Sequence, residues 1–587
     1  MTVDVSPAHP EAVLGDFAGA VYDYGGTRAR MTRDPAGGFL MTFSSQAAER
    51  TVEIVRAVGS RRIQQYLARV GPELWRLPLA YHVEERRWFH MNGAFLTADP
   101  PEGDQGSQAE NQDDGRPVFG GMAHGFDRHV TRWNDNCVFC HNVAPNPGRV
   151  PASGAFRTTV AELGIACEAC HGPGADHVRA NAASPVRRRV LDESGAADPT
   201  ITHPGRLSPA RSADVCGRCH GQRLADDLGP FLTHGDPFVP GEDLGLYSAP
   251  LWQDTPLHGD RTAFAARFWN DGTPRLTAYE YQGLLLSACA VRGTLTCTTC
   301  HGMHEGSPRG QLRPTAEGDA ACTTSCHREL AISANQARHS HHAASGPGAR
   351  CVACHMPKIV FGVLDLHVSH RIERPDVARD LATGRPDACT LCHVERTRAW
   401  ALEASARWWP RGPAPKSEDG APSGADVVGA GGDRLGPLDA LFAGDPIARA
   451  VAAEALGTAP FAALPDAGSG GGLGSDPVTT ASVSALRATR EAALLDAMAA
   501  DRYPAVRHLA ARALARLLEA GRAPARALAT AFDATAPAAR RAGILAALRE
   551  QLTVTDAAPF EDFEPGSAAG LGRPRPARIV DEIEIGE

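Results

Sequence analysis

Between residues 17 and 96 apolar and polar positions alternate in short runs broken by turns. Phe39-Leu40-Met41-Thr42-Phe43, just after Gly37-Gly38, and Thr51-Val52-Glu53-Ile54-Val55 carry the pattern most plainly. Period-two alternation between turn residues predicts strands with one buried face, hence a small β-rich N-terminal domain. From Ala98 to Pro117 the chain is Gly, Pro, Asp and Gln with almost nothing apolar. That is linker composition, and it places a boundary near residue 118. Between residues 118 and 409 no long period survives. Loops with Gly and Pro alternate there with short helical pieces such as Pro375 to Leu381 and Thr397 to Trp408, so little regular structure is expected.

Residues 410 to 436 are again rich in Pro, Gly, Ala and Ser, which makes them a second linker. Beyond them the period becomes helical. An Ala/Leu/Arg-rich pattern runs from Leu438 to Leu552, within residues 437 to 555, and a Pro-x-x-Arg start recurs at Pro446/Arg449, Pro504/Arg507 and Pro537/Arg540. Proline is favoured in the first turn of a helix. The starts lead into apolar faces, Val451, Ala455 and Leu456 after the first and Leu509, Ala513 and Leu514 after the second. Stacked helix pairs would read this way, and the pattern resembles HEAT repeats, a C-terminal α-solenoid. A plain helical bundle fits too, because the Gly-rich stretch from Gly468 to Gly474 interrupts the spacing. Residues 556 to 587 form a tail that ends in the acidic run Asp581 to Glu587. The expected fold class is therefore multidomain: β-rich at the N-terminus, an irregular middle domain with short helices, then the solenoid.

Composition narrows this picture. A chain of 587 residues exceeds one compact core and suggests two to four domains. With 43% hydrophobic and 22% charged residues it can bury a core, while 60 Gly and 44 Pro imply long irregular stretches. The net charge of -9 and the absence of a concentrated basic face argue against a nucleic-acid partner. No apolar run reaches about 18 residues, so no transmembrane helix is expected. Residues 1 to 30 show no basic start, apolar run or cleavage site, and no signal peptide is read in them.

The cysteines carry the chemistry. All 15 lie between Cys137 and Cys392, and all but Cys289 fall into seven pairs. Six are Cys-x-x-Cys-His: Cys137/Cys140/His141, Cys167/Cys170/His171, Cys216/Cys219/His220, Cys297/Cys300/His301, Cys351/Cys354/His355 and Cys389/Cys392/His393. A seventh, Cys322/Cys326/His327, has one extra residue. In c-type haem attachment the two thiols form thioethers to the haem vinyl groups, and the adjacent histidine binds iron from one side. Zinc or disulfide chemistry is the alternative for any single pair. Zinc needs no histidine at that fixed place, so seven copies point to about seven covalent haems c. Such attachment occurs outside the bacterial cytoplasm, which predicts a periplasmic or otherwise exported protein.

Each iron can take a sixth ligand, and the pool is His124, His129, His177, His203, His234, His258, His304, His339, His341, His342, His367 and His370. His177, His304, His339 and His370 are the first choices, with His124 and His129 next. Any of the pool has an ordinary reading as a surface or hydrogen-bonded residue. Methionine is scarce, with only Met122, Met303 and Met356 in this region, so bis-histidine ligation and low potentials are expected. Cys289, in an apolar run, reads as a buried, inert thiol. Lys358 reads as a solvated lysine or as a partner for haem propionates.

Gly164-Ile165-Ala166-Cys167-Glu168-Ala169-Cys170-His171-Gly172-Pro173-Gly174, followed by His177, resembles multihaem cytochromes related to the tetrahaem electron acceptor of hydroxylamine oxidoreductase. Supporting segments are Cys300-His301-Gly302-Met303-His304, Cys354-His355-Met356-Pro357 with His370 to Pro375 downstream, and Arg87-Trp88-Phe89-His90. The likeness covers residues 17 to 409, and the appended helical repeats are similar to those of other members. It implies a distal role for His304 and electron transfer between redox partner proteins, with the repeats as a docking surface. The wider group includes ammonia-forming nitrite reductase, whose catalytic haem motif ends in lysine. All seven motifs here end in histidine. An oxidoreductase acting on nitrite, hydroxylamine or a similar nitrogen or sulfur compound at one five-coordinate haem is the alternative function.

Overall fold

The computed structural model describes residues 2–46, 48–99, 116–120, 125–184, 186–307, 310–410, 436–460, 480–518 and 522–552. Most of both expected linkers, the Gly468 to Gly474 insertion, residues 556–587, Met122 and His124 lie outside the described residues. The chain divides into two compact units. The first comprises Met1–Asn92, Pro100–Trp252 and Ala278–Glu317, and the second Gly93–Asp99, Gln253–Thr277 and Gly318–Glu587.

The first unit opens on a nine-stranded sheet. Strands β1 (Thr2–Asp4), β2 (Ala20–Tyr24), β3 (Thr27–Arg33), β4 (Phe39–Ser44), β5 (Glu49–Val58), β6 (Ile63–Val70), β7 (Glu73–His82), β8 (Arg87–His90) and β9 (Thr131–Arg132) contribute to it. Order along the sheet is β2-β3-β4-β5-β6-β7-β8, with β1 on β5 and β9 on β7, and every pairing is antiparallel. The alternation read from the sequence is the cause. Phe39, Met41 and Phe43 of β4 and Val52 and Ile54 of β5 are buried, while Glu53 between them is exposed. Gly25 and Gly26, at φ 55° and 78°, form the two-residue turn that pairs Tyr24 with Thr27, a geometry that suits glycine and matches strand twist. Phe17 packs edge-on against Phe39, Tyr66 and Trp88 at 5.2, 5.5 and 5.4 Å and anchors a core of 22 buried residues.

The rest of this unit is different in kind. It holds two small ladders, β10 (Asn142–Val143) with β11 (Glu162–Leu163) and β12 (Arg223–Ala225) with β13 (Ser248–Pro250). Short helices α1 (Cys167–His171), α2 (Ala175–Ala183), α3 (Pro209–Gly217) and α4 (Cys297–Cys300) lie between loops. Among the described residues one apolar cluster there consists of Ala213, Tyr281 and Leu284 with a few half-buried neighbours, and another joins Trp133 and Val138 to Val58, Leu67 and Leu74 of the sheet.

In the second unit α5 (Ser333–Ser340), α6 (Cys351–His355), the hairpin β14 (Lys358–Gly362) and β15 (Asp365–Val368), α7 (Val377–Thr383) and α8 (Arg398–Trp408) come first. The two short helices expected from sequence are α7 and α8. Asp376 and Thr397 cap them by accepting the backbone N–H of Arg379 and Trp400. Then follow α9 (Gly436–Ala443), α10 (Pro446–Thr458), α11 (Thr480–Ala500), α12 (Pro504–Leu517), α13 (Ala523–Ala531) and α14 (Ala538–Leu552). Pro446 and Pro504 stand at helix starts, and the predicted faces Val451, Ala455, Leu456 and Leu509, Ala513, Leu514 are all buried. A β-rich N-terminal part and helices later make the chain multidomain. Among the described residues no helix is long and apolar enough to cross a membrane.

Candidate cofactor-attachment sites

The Cys-x-x-Cys-His spacing sets three side chains on one helical turn, since positions i, i+3 and i+4 share a face. The backbone closes that turn from the histidine N–H to the first cysteine's carbonyl: His220 to Cys216 at 2.9 Å, His301 to Cys297 at 2.9 Å and His393 to Cys389 at 2.8 Å. Helices α1 and α6 span Cys167–His171 and Cys351–His355 in the same way, and Cys137–Phe139 is a tighter 3-10 turn. The odd motif closes too. His327 N–H reaches Cys322 O at 2.9 Å, a wider turn that absorbs the extra residue.

Cys326 departs from the expected arrangement, in which both thiols of a pair share one helical face. The helical turn that carries Cys322 is Ala320–Thr323 and ends before Cys326. The extra residue therefore places Cys326 in the following turn, where it is exposed, while Cys322 is half-buried beside Cys351. In this structure Cys326 and its neighbour His327 both face solvent. Of the other paired cysteines only Cys167, at the start of α1, is exposed.

None of the fifteen cysteines is in a disulfide and none is fully buried, although cysteine is among the residues most often found inside. Sulfurs meet across motifs. The Cys219 thiol beside Cys140 and the Cys297 thiol beside Cys216, aided by burial, push Cys140 and Cys216 up. The motif at the end of α3 thus touches both the first and the fourth. Burial raises Cys170 to about 11, with Cys216 and Cys219 adding to it. In the second unit Cys322 beside Cys351 pushes the latter up, and burial with Cys392 nearby raises Cys354 to about 11. Zinc sites take four ligands; among the described residues no group of three or more His, Cys, Asp or Glu converges as a metal site. Cys289, expected buried, is half-buried on Ala288–Val291.

Three motif histidines face a second imidazole. Ring centres lie 6.1 Å apart for His171 and His304, 6.1 Å for His339 and His355, and 5.9 Å for His342 and His393. A metal–nitrogen bond of about 2 Å on each side, plus roughly 1 Å from nitrogen to ring centre, sets two trans imidazoles about 6 Å apart. The centre-to-centre spacing of each pair matches that distance. The tautomers agree. His171 Nδ1 is 2.7 Å from Thr202 O, His301 Nδ1 2.7 Å from Gly310 O, His355 Nδ1 2.7 Å from Glu373 O and His342 Nδ1 2.7 Å from Ser340 O. A carbonyl only accepts, so each Nδ1 carries the proton and each Nε2 offers a lone pair. His203 also approaches His171, edge-on at 6.3 Å.

Of the sixth-ligand choices, His304 and His339 thus sit opposite motif histidines. His177 Nδ1 instead lies 3.2 Å from Asp198 Oδ2 and 3.3 Å from Asn181 Nδ2. His129 is 5% exposed, and burial drives its imidazole down to about 2. His370 is half-buried in the loop after β15, and its carbonyl accepts Ile372 N–H. His141 accepts from Thr2 Oγ1 through its carbonyl at 2.9 Å. Among the motif histidines, His220 is 69% exposed, with Glu280 Oε2 3.8 Å from its Nδ1. His342, a further member of the pool, completes the third ring pair with His393. Its signal was the spacing His339-x-His341-His342 just before a motif.

The acceptor for His355 is itself held fast. Arg371 Nε, Arg379 Nη2 and Arg385 Nη1 reach the Glu373 carboxylate at 3.1, 2.5 and 2.5 Å. Arg371 and Arg385 also reach Asp271 Oδ2 at 3.0 and 3.3 Å, and Arg385 meets Asp380 at 2.5 Å. Burial lifts Asp380 to about 7 against the pull of Arg385. Lys358, half exposed, lies 3.3 Å from Glu454. No protein-family model, curated protein or solved structure matches this chain.

Proposed function

We propose that this chain is an exported c-type cytochrome that carries seven covalent haems and passes electrons between a donor and an acceptor protein. The observation that carries the reading is the set of three histidine-ring pairs, each with one member in a Cys-x-x-Cys-His turn and each spaced 5.9 to 6.1 Å. The fourteen paired cysteines, Cys137 through Cys392 without Cys289, hold the haems by thioethers, and the seven motif histidines bind iron. At the long-spacer motif, Cys326 has to turn inward from its exposed position to share a haem with Cys322. His304, His339 and His342 supply sixth ligands. Thr202, Gly310 and Glu373 keep the Nδ1 proton in place and so fix which nitrogen faces the metal. When bound, haem supplies a one-electron iron couple. Cysteine contacts link the first, third and fourth motifs, with the second beside the third, and separately the fifth, sixth and seventh. Relay through neighbouring haems follows naturally from such contacts.

The kinship with multihaem cytochromes of the hydroxylamine oxidoreductase acceptor type is part of this proposal, as is a HEAT-like array after residue 436 that docks a redox partner. Favouring the array, Arg449 of one Pro-x-x-Arg start reaches Asp501 Oδ2 at 2.8 Å, just ahead of the next start, and Arg507 reaches Ala534 O at 3.0 Å ahead of the third.

Pyridine haemochrome quantification with intact mass on protein matured in a periplasm tests the count. Seven haems are expected, and six in a Cys322→Ser/Cys326→Ser variant. A parent with six, unchanged by that variant, would leave the long-spacer motif empty; a parent with none would end the reading. Ferric spectroscopy decides between relay and enzyme. Low-spin haems unmoved by nitrite, hydroxylamine and cyanide support the relay, whereas one high-spin haem that binds them supports the oxidoreductase.

A further inference from the structure

Two of the three ring pairs draw their second imidazole from one short turn. Helix α5 ends at Ser340, His339 on its last turn faces His355, and His342 two residues beyond faces His393. Between them His341 takes a left-handed conformation at φ 58° and ψ 26°. That conformation is costly for a residue with a Cβ and persists where surroundings hold it.

The surroundings are the end of α8. The His341 ring stacks on Trp408 at 5.1 Å and 13° and meets Trp409 edge-on at 5.2 Å. Its Nε2 donates to Trp408 O at 3.3 Å, while Trp409 Nε1 donates to His339 O at 2.7 Å. Trp400, on the same helix, packs on His393 at 5.0 Å and on Trp408 at 6.5 Å. One aromatic group therefore contacts the residue before the turn, the residue in it and the motif histidine opposite its far end. Because the turn is four residues long, His339 cannot swing away without pulling on His342.

We propose that Trp408 and Trp409, acting through His341, are positioning residues that hold His339 and His342 as one clamp, so that the haems at the sixth and seventh motifs gain or lose their sixth ligands together. This rests on the bis-histidine reading above. None of the three touches iron; they act on the backbone that presents the ligands.

The test is a Trp408→Leu/Trp409→Phe variant of the full haem-loaded chain, read by electron paramagnetic resonance of the ferric protein and carbon monoxide titration of the ferrous protein. The expected result is an unchanged haem count with two haems converted from low to high spin and about two equivalents of carbon monoxide newly bound. Trp408→Phe, which keeps a ring under His341, should stay low-spin. Should the double variant lose haem altogether, His341→Gly keeps the left-handed turn, deletes only the clamped ring and reads the same two sites. Conversion of one haem alone, or of none with the haem count intact, overturns the clamp and leaves the cytochrome reading standing. A parent without covalent haem overturns both.

Discussion

Arg385 gives a quantitative test of how the His355 site is built. The residue is 4% exposed and its guanidinium meets three carboxylates, Asp271, Glu373 and Asp380. With Arg371 and Arg379 the cluster holds three cations against three acids. Above the value of about 7 to which burial lifts Asp380, replacing Arg385 by methionine keeps the volume and leaves that carboxylate buried without its cation, so the comparison is made at alkaline pH. At an effective dielectric near 20, opposite unit charges about 4 Å apart attract by about 4 kcal/mol. Breaking one partner of a buried pair costs about 3–5 kcal/mol. That corresponds to a fall in melting temperature on the order of 10 °C. An Arg385→Met/Asp380→Leu double variant removes one charge of each sign and should recover more than half of the loss. Thermal unfolding by far-UV circular dichroism measures both. A single variant that melts within about 2 °C of the parent, or a double variant no better than the single one, would refute the idea that charge balance holds this loop.

Three further outcomes follow from local geometry. Burial raises Asp127 to about 6 while it accepts the N–H groups of Phe119 and Gly120 at 3.0 and 3.1 Å. The folded state then binds more protons than the unfolded state between the ordinary value of 3.8 and about 6. Stability of the first unit should fall as pH rises through that window, by at most about 1.4 kcal/mol per unit, and Asp127→Asn should flatten the slope in melting curves between those limits. At Gly59, φ is +95° and an added Cβ would lie 2.2 Å from Ile63 O. Gly59→Ala should therefore lower the urea midpoint by the equivalent of about 2 kcal/mol with the m-value unchanged. His342→Ala should convert one haem to high spin, shift its potential and leave the haem count alone, as a visible and electron-resonance spectrum of the purified variant would record.

The parts of this molecule that could be read in advance are those whose cause is local. β4 and β5 follow from alternation, and α7 and α8 coincide with the short helical pieces expected there. Cys326 lies off the helical turn of Cys322 because its spacing carries it past the end of that turn. β9 was invisible because a two-residue strand has no period. The histidine ring pairs do not obey a local rule: His304 faces His171 across more than a hundred residues, whereas His177, close behind the same motif, meets Asp198 instead. The Nδ1 acceptors were unreadable in principle, since Thr202, Gly310 and Glu373 act through backbone carbonyls that every residue possesses. Arg371 and Asp271 meet across a hundred residues, and nothing in either neighbourhood announces the other.

The same distinction bears on what holds the cysteine-rich region together. The sheet buries 22 side chains in one cluster, while the apolar cluster beside α3 has three buried members. Ordering a residue costs roughly 1–2 kcal/mol in backbone entropy, and burial of a large apolar side chain returns about 1.5–3 kcal/mol. The sheet offsets part of that cost with its own buried side chains. The loops between residues 137 and 250 bury few: Val138, Val143, Phe156, Ala213, Val215, Phe238 and Leu244. Their cysteines stand half-open instead of packed. On the cytochrome reading the missing apolar surface belongs to the haems, and folding of these loops is linked to attachment as metal-dependent domains are linked to their metal. On the same reading the Cys-x-x-Cys-His turns take their final shape only when both thiols and the histidine are engaged.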